Sequence, residues 1–404
     1  MISTIIPCYN HAYYLSSALN SILAQTFTDW EAIIVDDGST DNTRAVAAQF
    51  TDPRVRYIYQ ENAGLSAARN TGIRAAQGNY LAFLDADDEW SSAFMERCVG
   101  ILQNQSRNIA GVYTRNTFID PQGNTLPRSG GQIISPEQFR IRLLEGGFFP
   151  VHSVLVRADC VREVGMFDET LTSVEDWDLW LRIAQRGYTF QHIPEPLARY
   201  RVYPGSMSTN AARMHANRIA VLTKHFGPPE GNPAEWPDEK RRAYGFAQRA
   251  GAYGYIEQGQ PDEGWQLLAR GVSLWPDLLC RLDTFYELAC GKQPKGYRGQ
   301  ADLLDIEGNG ADMLQRLAAL FAAADEAVQS LQNEAYGNTY LALSMLSDQA
   351  GQWGAARRYL VQALRADPGL LCQWGVAHRL LKLCAGKRVI GWLRRFQSTT
   401  ESEG

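Results

Sequence analysis

Short apolar runs alternate with amphipathic stretches over the first ninety residues. Strands are predicted at residues 2–6, 32–35, 55–59 and 80–84. Apolar side chains from Tyr14 to Leu23 recur at helical spacing, and residues 65–76 show a second helix that Gly78 closes. Because strands and helices alternate, we expect an α/β domain with a mostly parallel sheet and helices on both faces.

The pattern is more mixed in the middle of the chain and then changes. Extended segments are predicted at residues 112–118, 153–156 and 193–203, and a helix at 177–186. Residues 227–237 carry four prolines and two glycines, the composition of a linker. After Asp238 the pattern is almost wholly helical.

The helical part contains an internal repeat. The residues from Gly259 to Cys280 parallel those from Gly351 to Cys372, 92 positions later. Each half resembles a tetratricopeptide unit. The predicted domains are an α/β domain at residues 1–226, a linker at 227–237 and an all-α repeat domain at 238–404. The duplication is expected at about 240–292 and 335–387.

Composition and charge narrow the class of protein. The 404 residues are 45% hydrophobic and 21% charged, as in globular proteins. A net charge of −5 provides no basic field, so we expect no nucleic-acid partner. The odd number of cysteines, seven, favours a reducing, cytoplasmic location. They form no CxxC pair, which argues against structural zinc. No apolar run approaches the roughly 18 residues of a membrane span.

Carboxylates follow the fourth predicted strand directly. Asp85, Asp87 and Asp88 stand where a strand of a parallel sheet ends, the edge at which α/β proteins bind ligands. Carboxylates crowded there repel one another unless a cation neutralises them. Hard ions that prefer oxygen, Mg²⁺ or Mn²⁺, bind one or two such groups together with substrate phosphates.

A second acidic cluster follows the second predicted strand. Helix capping explains Ser39, Thr40 or Asp41. Capping does not explain Asp36 and Asp37, which precede the turn and can accept hydrogen bonds from a base or a ribose.

Six segments together resemble the family 2 glycosyltransferases. They are STIIPCYN at 3–10, SILAQT at 21–26, DDGSTD at 36–41, NAGLSAARN at 62–70, FLDADD at 83–88 and EDWDLWLR at 175–182. Each motif is weak alone, but the set has the order and spacing of that family. The resemblance covers about half of the chain, to Ser208. It implies a GT-A fold and an inverting, metal-assisted transfer from a nucleotide-sugar, with a UDP-sugar as the first expectation.

The resemblance also assigns roles to residues of the donor site. It implies that Pro7 and Tyr9 line the base pocket. Asp37 would contact the base, and Arg69 would reach the base or the phosphates. Asp85 and Asp87 would form the family's D-x-D motif, with Asp87 as the ligand of Mn²⁺ or Mg²⁺.

The remaining roles concern the reaction and the closing segment. Asp176 matches the general base of the family, and Arg201, with Ser206, resembles the segment that closes over the diphosphate. Structural roles for several of these residues remain open. Acids at 175–176 also favour a helix N-terminus, Arg69 suits a solvated helix face, and His152 suits either an acceptor-facing or a structural position.

Partners and the helical half leave further alternatives. The acceptor is a glycan, lipid-linked or protein hydroxyl. The helical domain suits a protein partner or a homodimer, and a non-catalytic scaffold is the alternative function. The basic and apolar segment at 387–396 suits either packing on the repeats or peripheral contact with a membrane surface.

Overall fold

The computed structural model describes residues 1–203, 205–380 and 383. Nine strands in these residues form one sheet. They are β1 Ile2–Cys8, β2 Trp30–Asp37, β3 Val55–Gln60, β4 Tyr80–Phe83, β5 Glu89–Trp90, β6 Ile109–Ile119, β7 Thr125–Gly130, β8 Val154–Arg157 and β9 Thr189–Arg201.

The described residues also form fifteen α-helices. Eight precede the predicted linker: α1 Ala12–Leu23, α2 Thr43–Ala47, α3 Leu65–Ala75, α4 Phe94–Leu102, α5 Phe139–Leu144, α6 Ala158–Glu163, α7 Glu175–Gln185 and α8 Ala211–Phe226. Seven follow it: α9 Asp238–Glu257, α10 Pro261–Leu274, α11 Leu282–Ala289, α12 Ile306–Ala322, α13 Glu326–Gln329, α14 Gln332–Gln349 and α15 Trp353–Ala366.

The first four strands form the predicted parallel part of the sheet. The strand order is β3-β2-β1-β4-β8-β6-β9-β5, with β7 paired to β6. β1 is parallel to both neighbours, and its Ile5 aligns with Ile33 of β2 and Phe83 of β4. β8 is antiparallel to β4 and to β6, so the second half of the sheet is mixed. The mostly parallel α/β domain, of GT-A type, is confirmed.

Close packing fixes helices against this sheet. α1 buries Leu15, Leu19 and Ile22 in the core that includes Ile6 and Ile34. α3 packs on β1 so closely that a Cβ at Gly72 would lie 2.4 Å from Ile5 Cγ2. A larger residue at that position would push the helix off the sheet.

Two strands run further than the apolar pattern predicts, and the extensions matter for the site. β1 continues through Pro7 to Cys8, because β4 pairs only as far as Ile5 and demands no N–H from the proline. β2 continues through Asp37, which aligns with Gln60 of β3. Asp37 is therefore held at the end of a strand and not in the turn after it.

The described chain divides into two compact units, Met1–Ala250 and Gly251–Gly404. In the second unit, α10 and a 3₁₀ turn at Pro276–Cys280 recur 92 residues later as α15 and a turn at Pro368–Cys372. The two repeated segments thus share their secondary structure. The predicted linker at 227–237 lies between α8 and α9, and the predicted domain limits stay predictions.

None of the helices among the described residues is both long and apolar enough to cross a membrane. The segment at 387–396, for which the sequence suggests either packing or membrane contact, lies outside the described residues.

Candidate active site

The carboxyl ends of β1, β2 and β4 open onto a cleft of about 570 Å³. All eight side chains that the sequence singles out line it: Pro7, Tyr9, Asp37, Arg69, Asp85, Asp87, Asp176 and Arg201. The first seven come from segments up to 170 residues apart in sequence that the parallel topology brings to one edge. Their individual roles remain predictions.

Asp37 fixes the loop that follows β3. Its Oδ1 accepts hydrogen bonds from Gln60 Nε2 at 2.7 Å and from the Ala63 N–H at 2.9 Å. Its Oδ2 accepts from the Gly64 N–H at 2.9 Å. Gly64 has φ +94°, a conformation that suits glycine. Asp37 therefore shapes one wall of the cleft, while Tyr9 at its rim is 49% exposed and offers an aromatic face.

Arg69 is buried beneath the cleft between two acids. Its side chain is 1% exposed, Nη2 donates to Asp85 Oδ1 at 2.6 Å, and Nη1 donates to Glu175. Burial opposes its charge, but the two carboxylates hold the pKa of the guanidinium above its usual value. The alternative of a solvated helix residue is wrong, because both ion pairs are internal.

The acids after β4 differ in their surroundings. Burial raises the pKa of Asp87 to about 6, and the neighbouring charges of Asp88 and Asp85 add to that effect. For Asp85, burial is outweighed by Arg69 and His152, which hold its pKa below the usual range. Tyr203 Oη donates to Asp87 Oδ2 at 2.9 Å.

His152 completes a possible cation-binding group with two of these acids. One ligand atom each from Asp85, Asp88 and His152 lies within 4.8 Å of the others. His152 Nδ1 is 2.7 Å from Asp88 Oδ2, whereas the buried Nε2 has no hydrogen-bond partner among the described residues. Carboxylate oxygens fit Mn²⁺ or Mg²⁺, and a neutral imidazole nitrogen is a common metal ligand. The structure thus adds His152 to the acids after β4 as a candidate ligand.

Asp176 lies in the first turn of α7 and faces the same cleft. Its Oδ1 accepts from the Trp177 N–H at 2.7 Å. Burial, and then the adjacent charge of Glu175, raises the pKa of Asp176 to about 7. A carboxylate that titrates near neutral pH suits a general base. Val174, just before it, has φ +54°, an outlier for a β-branched residue of the kind that clusters at functional sites.

Arg201 supports the acidic loop from below. It is 2% exposed, and its Nε donates to the Asp87 carbonyl at 2.6 Å. Nη1 donates to the carbonyls of Asp120 and Pro121, and Nη2 to Glu89 Oε1 at 2.6 Å. The Arg201 N–H donates to Asp88 Oδ1 at 2.7 Å. These contacts hold the carboxylates in place, and the predicted contact with a diphosphate stays a prediction.

Helix α3 also holds the loop that leads to Asp176. Asn70 Nδ2 donates to the Phe167 carbonyl at 2.9 Å and to Glu169 Oε1 at 2.8 Å, and its Oδ1 accepts from the Phe167 N–H. Ser66 Oγ donates to the Leu171 carbonyl at 3.2 Å. The motif at residues 62–70 thus holds the loop that leads to the N-terminal end of α7 and Asp176, a role that its sequence does not display.

Several cleft residues were not assigned a role from the sequence. They are His11, Glu169, Glu175, Tyr203 and Arg213. Gln60 was also not assigned a role; it lies behind Asp37 and donates a hydrogen bond to it. Glu175 adjoins Asp176, which could have marked it as a site residue. Its ion-pair partner, Arg69, lies 106 residues earlier in the chain. Arg213, from α8, is the exposed arginine of the cleft lining, and its Nη2 donates to the Thr172 carbonyl.

Comparison with known proteins identifies the family of this chain. Residues 3–165 match the family model "Glycosyl transferase family 2". A Bacillus subtilis protein named "Putative teichuronic acid biosynthesis glycosyltransferase TuaG" is 31% identical over 214 residues, 52% of this chain and 82% of the relative. The chain belongs to glycosyl transferase family 2, as its motifs indicate. Its activity, donor and acceptor are matters of inference.

Two further relatives set the extent of the likeness. An uncharacterised glycosyltransferase of Rickettsia conorii is 38% identical over 188 residues, 45% of this chain but only 31% of its own length. The chain therefore spans less than a third of that relative. The Staphylococcus aureus TarS structure in complex with UDP-GlcNAc aligns over 91% of this chain and 92% of that one, with 15% identity and a TM-score of 0.48.

Proposed function

We propose that this protein transfers a sugar from a nucleotide-sugar, with a UDP-sugar as the first candidate, to an acceptor hydroxyl during glycan or polysaccharide synthesis. The observation that carries the proposal is the position of Asp176. It lies in the same cleft as Asp37 and the acids after β4, although at least 88 residues separate it from each of them in sequence.

The charge of the cleft supports a requirement for a divalent cation. Seven acids line it: Asp37, Asp85, Asp87, Asp88, Glu169, Glu175 and Asp176. Of its three arginines, Arg69 and Arg201 are committed to internal partners. A diphosphate would be repelled by this surface without a cation. Asp85, Asp87, Asp88 and His152 are the residues that would hold Mn²⁺ or Mg²⁺, which supplies charge stabilisation for the leaving diphosphate.

The protein residues supply the other half of the reaction. Asp176 Oδ accepts the proton of the acceptor hydroxyl while the oxygen of that hydroxyl forms a bond to the anomeric carbon. The bond from that carbon to the diphosphate oxygen breaks, and its electron pair leaves with the nucleotide. Displacement from the far side inverts the anomeric centre. The partly buried His11 and the exposed Arg213, whose Nη2 donates to the Thr172 carbonyl, also line the cleft and are further candidates to contact the phosphates or the acceptor.

The donor base is assigned to the wall formed by Pro7, Tyr9 and Asp37. An aromatic ring at the rim suits stacking on a base, and Asp37 Oδ2 offers an acceptor for a base N–H. Acceptor identity, a partner for the helical unit, a cytoplasmic location and peripheral membrane contact all stay predictions.

A donor screen tests the proposal. The purified chain would be incubated with UDP-, GDP- and dTDP-sugars and Mn²⁺, and release of nucleoside diphosphate would be measured with and without EDTA. We expect metal-dependent release from at least one donor, and its loss in Asp176→Asn. If no nucleotide raises the melting temperature of the protein and no donor releases nucleoside diphosphate, the non-catalytic scaffold would be favoured instead.

A further inference from the structure

Gln60 donates a hydrogen bond to Asp37, the carboxylate that the proposed function places against the donor base. It is the last residue of β3 and aligns with Asp37 across the sheet. Its Nε2 donates to Asp37 Oδ1 at 2.7 Å, the shortest of the three N–H contacts that this carboxylate receives. The other two come from the backbone of Ala63 and Gly64.

The number of acceptor positions on Asp37 is limited. An ionised carboxylate has about four lone-pair positions, two on each oxygen. Gln60 and Ala63 use both positions of Oδ1, and Gly64 uses one of Oδ2. Among the described contacts, a single acceptor position on Oδ2 therefore remains for a ligand in the cleft.

One acceptor position suits some bases and not others. Uracil and thymine present one N–H, at N3, between two carbonyl oxygens. Guanine presents two adjacent donors, N1–H and the 2-amino group, which need two acceptors to be satisfied. Adenine and cytosine present a ring lone pair beside their amino group, and that lone pair would face a carboxylate. A base donor left without an acceptor in a buried site costs affinity.

The backbone donors are fixed, whereas Gln60 is not. A Cβ at Gly38 would lie 2.8 Å from the Asn62 nitrogen, so the turn after β2 holds the loop after β3 at close range. Asn62 Nδ2 also donates to the Asp37 carbonyl at 2.9 Å. The amides of Ala63 and Gly64 thus keep their positions when the side chain of residue 60 is changed.

We propose that Gln60 is a specificity-determining residue: by occupying Asp37 Oδ1 it restricts the donor to nucleotides with a single N–H at the recognised edge, uracil or thymine. This inference rests on the proposed function, because it requires that Asp37 meet the donor base. Gln60 acts through Asp37 and is not itself a catalytic residue.

Nucleotide binding in the presence of Mn²⁺ tests the inference. Dissociation constants for UDP, dTDP, GDP, CDP and ADP would be measured by calorimetry for the full chain, for Gln60→Ala and for Gln60→Met, which keeps the volume but has no donor. Gln49→Ala, at an exposed glutamine outside the cleft, is the matched control. Thermal unfolding of each variant shows whether it is folded.

The expected result is a change of preference and not a general loss of binding. The wild type should bind UDP and dTDP at least about tenfold more tightly than GDP. In both Gln60 variants the preference, measured as the ratio of the affinity for UDP to the affinity for GDP, should fall about five- to tenfold. This is the effect of one hydrogen bond. Gln49→Ala should keep the wild-type ratio. A wild type without preference, or an unchanged ratio in both folded Gln60 variants, would overturn the role of Gln60. Failure of the wild type to bind any nucleotide would instead refute the proposed function.

Discussion

Arg69 of α3 forms a buried ion pair with Glu175, the residue that immediately precedes Asp176. The same guanidinium forms a second ion pair with Asp85 at 2.6 Å. The guanidinium of Arg69 therefore joins Asp85, after β4, to α7, the helix that carries the candidate base. The charge at either acid influences the other through this shared partner, and the geometry of the cleft depends on it.

Loss of Arg69 should destabilise the protein strongly. In Arg69→Met the buried Glu175 and the partly exposed Asp85 lose their cationic partner, and loss of a buried partner typically costs about 3–5 kcal/mol. Urea unfolding would measure the change in the free energy of unfolding. Arg74→Met, on the same helix, is the control, because its 57% exposed side chain contacts Glu169 only at 3.4 Å and should cost less than about 1 kcal/mol. Equal stability of the two variants would contradict the central role of Arg69.

Activity should depend on the ionisation of Asp176. Burial and the charge of Glu175 raise its pKa to about 7, so the base is protonated and inactive below that pH. The turnover rate should therefore rise with pH through about 7. Glu175→Gln removes a negative charge next to Asp176, which lowers the pKa of the base and moves the acidic limb to lower pH.

The pH–rate profile of each variant measures this shift. Glu96→Gln, at an exposed position on α4 outside the cleft, is the control and should keep the wild-type limb. A limb that stays in place in Glu175→Gln, or moves to higher pH, would show that another group limits the reaction.

Much of the fold could be predicted because its signals are local. Apolar periodicity locates the strands β1 to β4 within about three residues of their ends, and the Asp85–Asp88 run reveals the active edge. The pairing of Arg69 with Glu175 could not be predicted, because 106 residues separate them and an arginine in a helix usually faces solvent. Likewise, the resemblance places Arg201 in the segment that closes over the diphosphate but does not reveal that its donors bind protein oxygens.

Replacement of the candidate base should separate binding from chemistry. Asp176→Asn retains the shape of the side chain but cannot accept a proton, so the turnover rate should fall about 10²- to 10⁴-fold. The dissociation constant for the donor nucleotide should change little, because Asp37 and the acids after β4 are untouched. Single-turnover kinetics and calorimetry check the two parts, and a parallel loss of binding would point to a structural role.

The ligands of the divalent cation can be assigned by metal titration of the nucleotide-loaded protein. The family motif predicts Asp87, whereas the structure groups Asp85, Asp88 and His152 within 4.8 Å. If His152 binds the cation through its unpartnered Nε2, His152→Gln should weaken Mn²⁺ affinity about 10- to 100-fold. Asp87→Ala should weaken it as well. His378→Gln, at an exposed histidine of the second unit, should have no effect. Electron paramagnetic resonance of Mn²⁺ with UDP present gives the affinities without depending on turnover. Wild-type affinity in a folded His152→Gln variant would limit the cation site to the carboxylates and return His152 to a structural role beside Asp88.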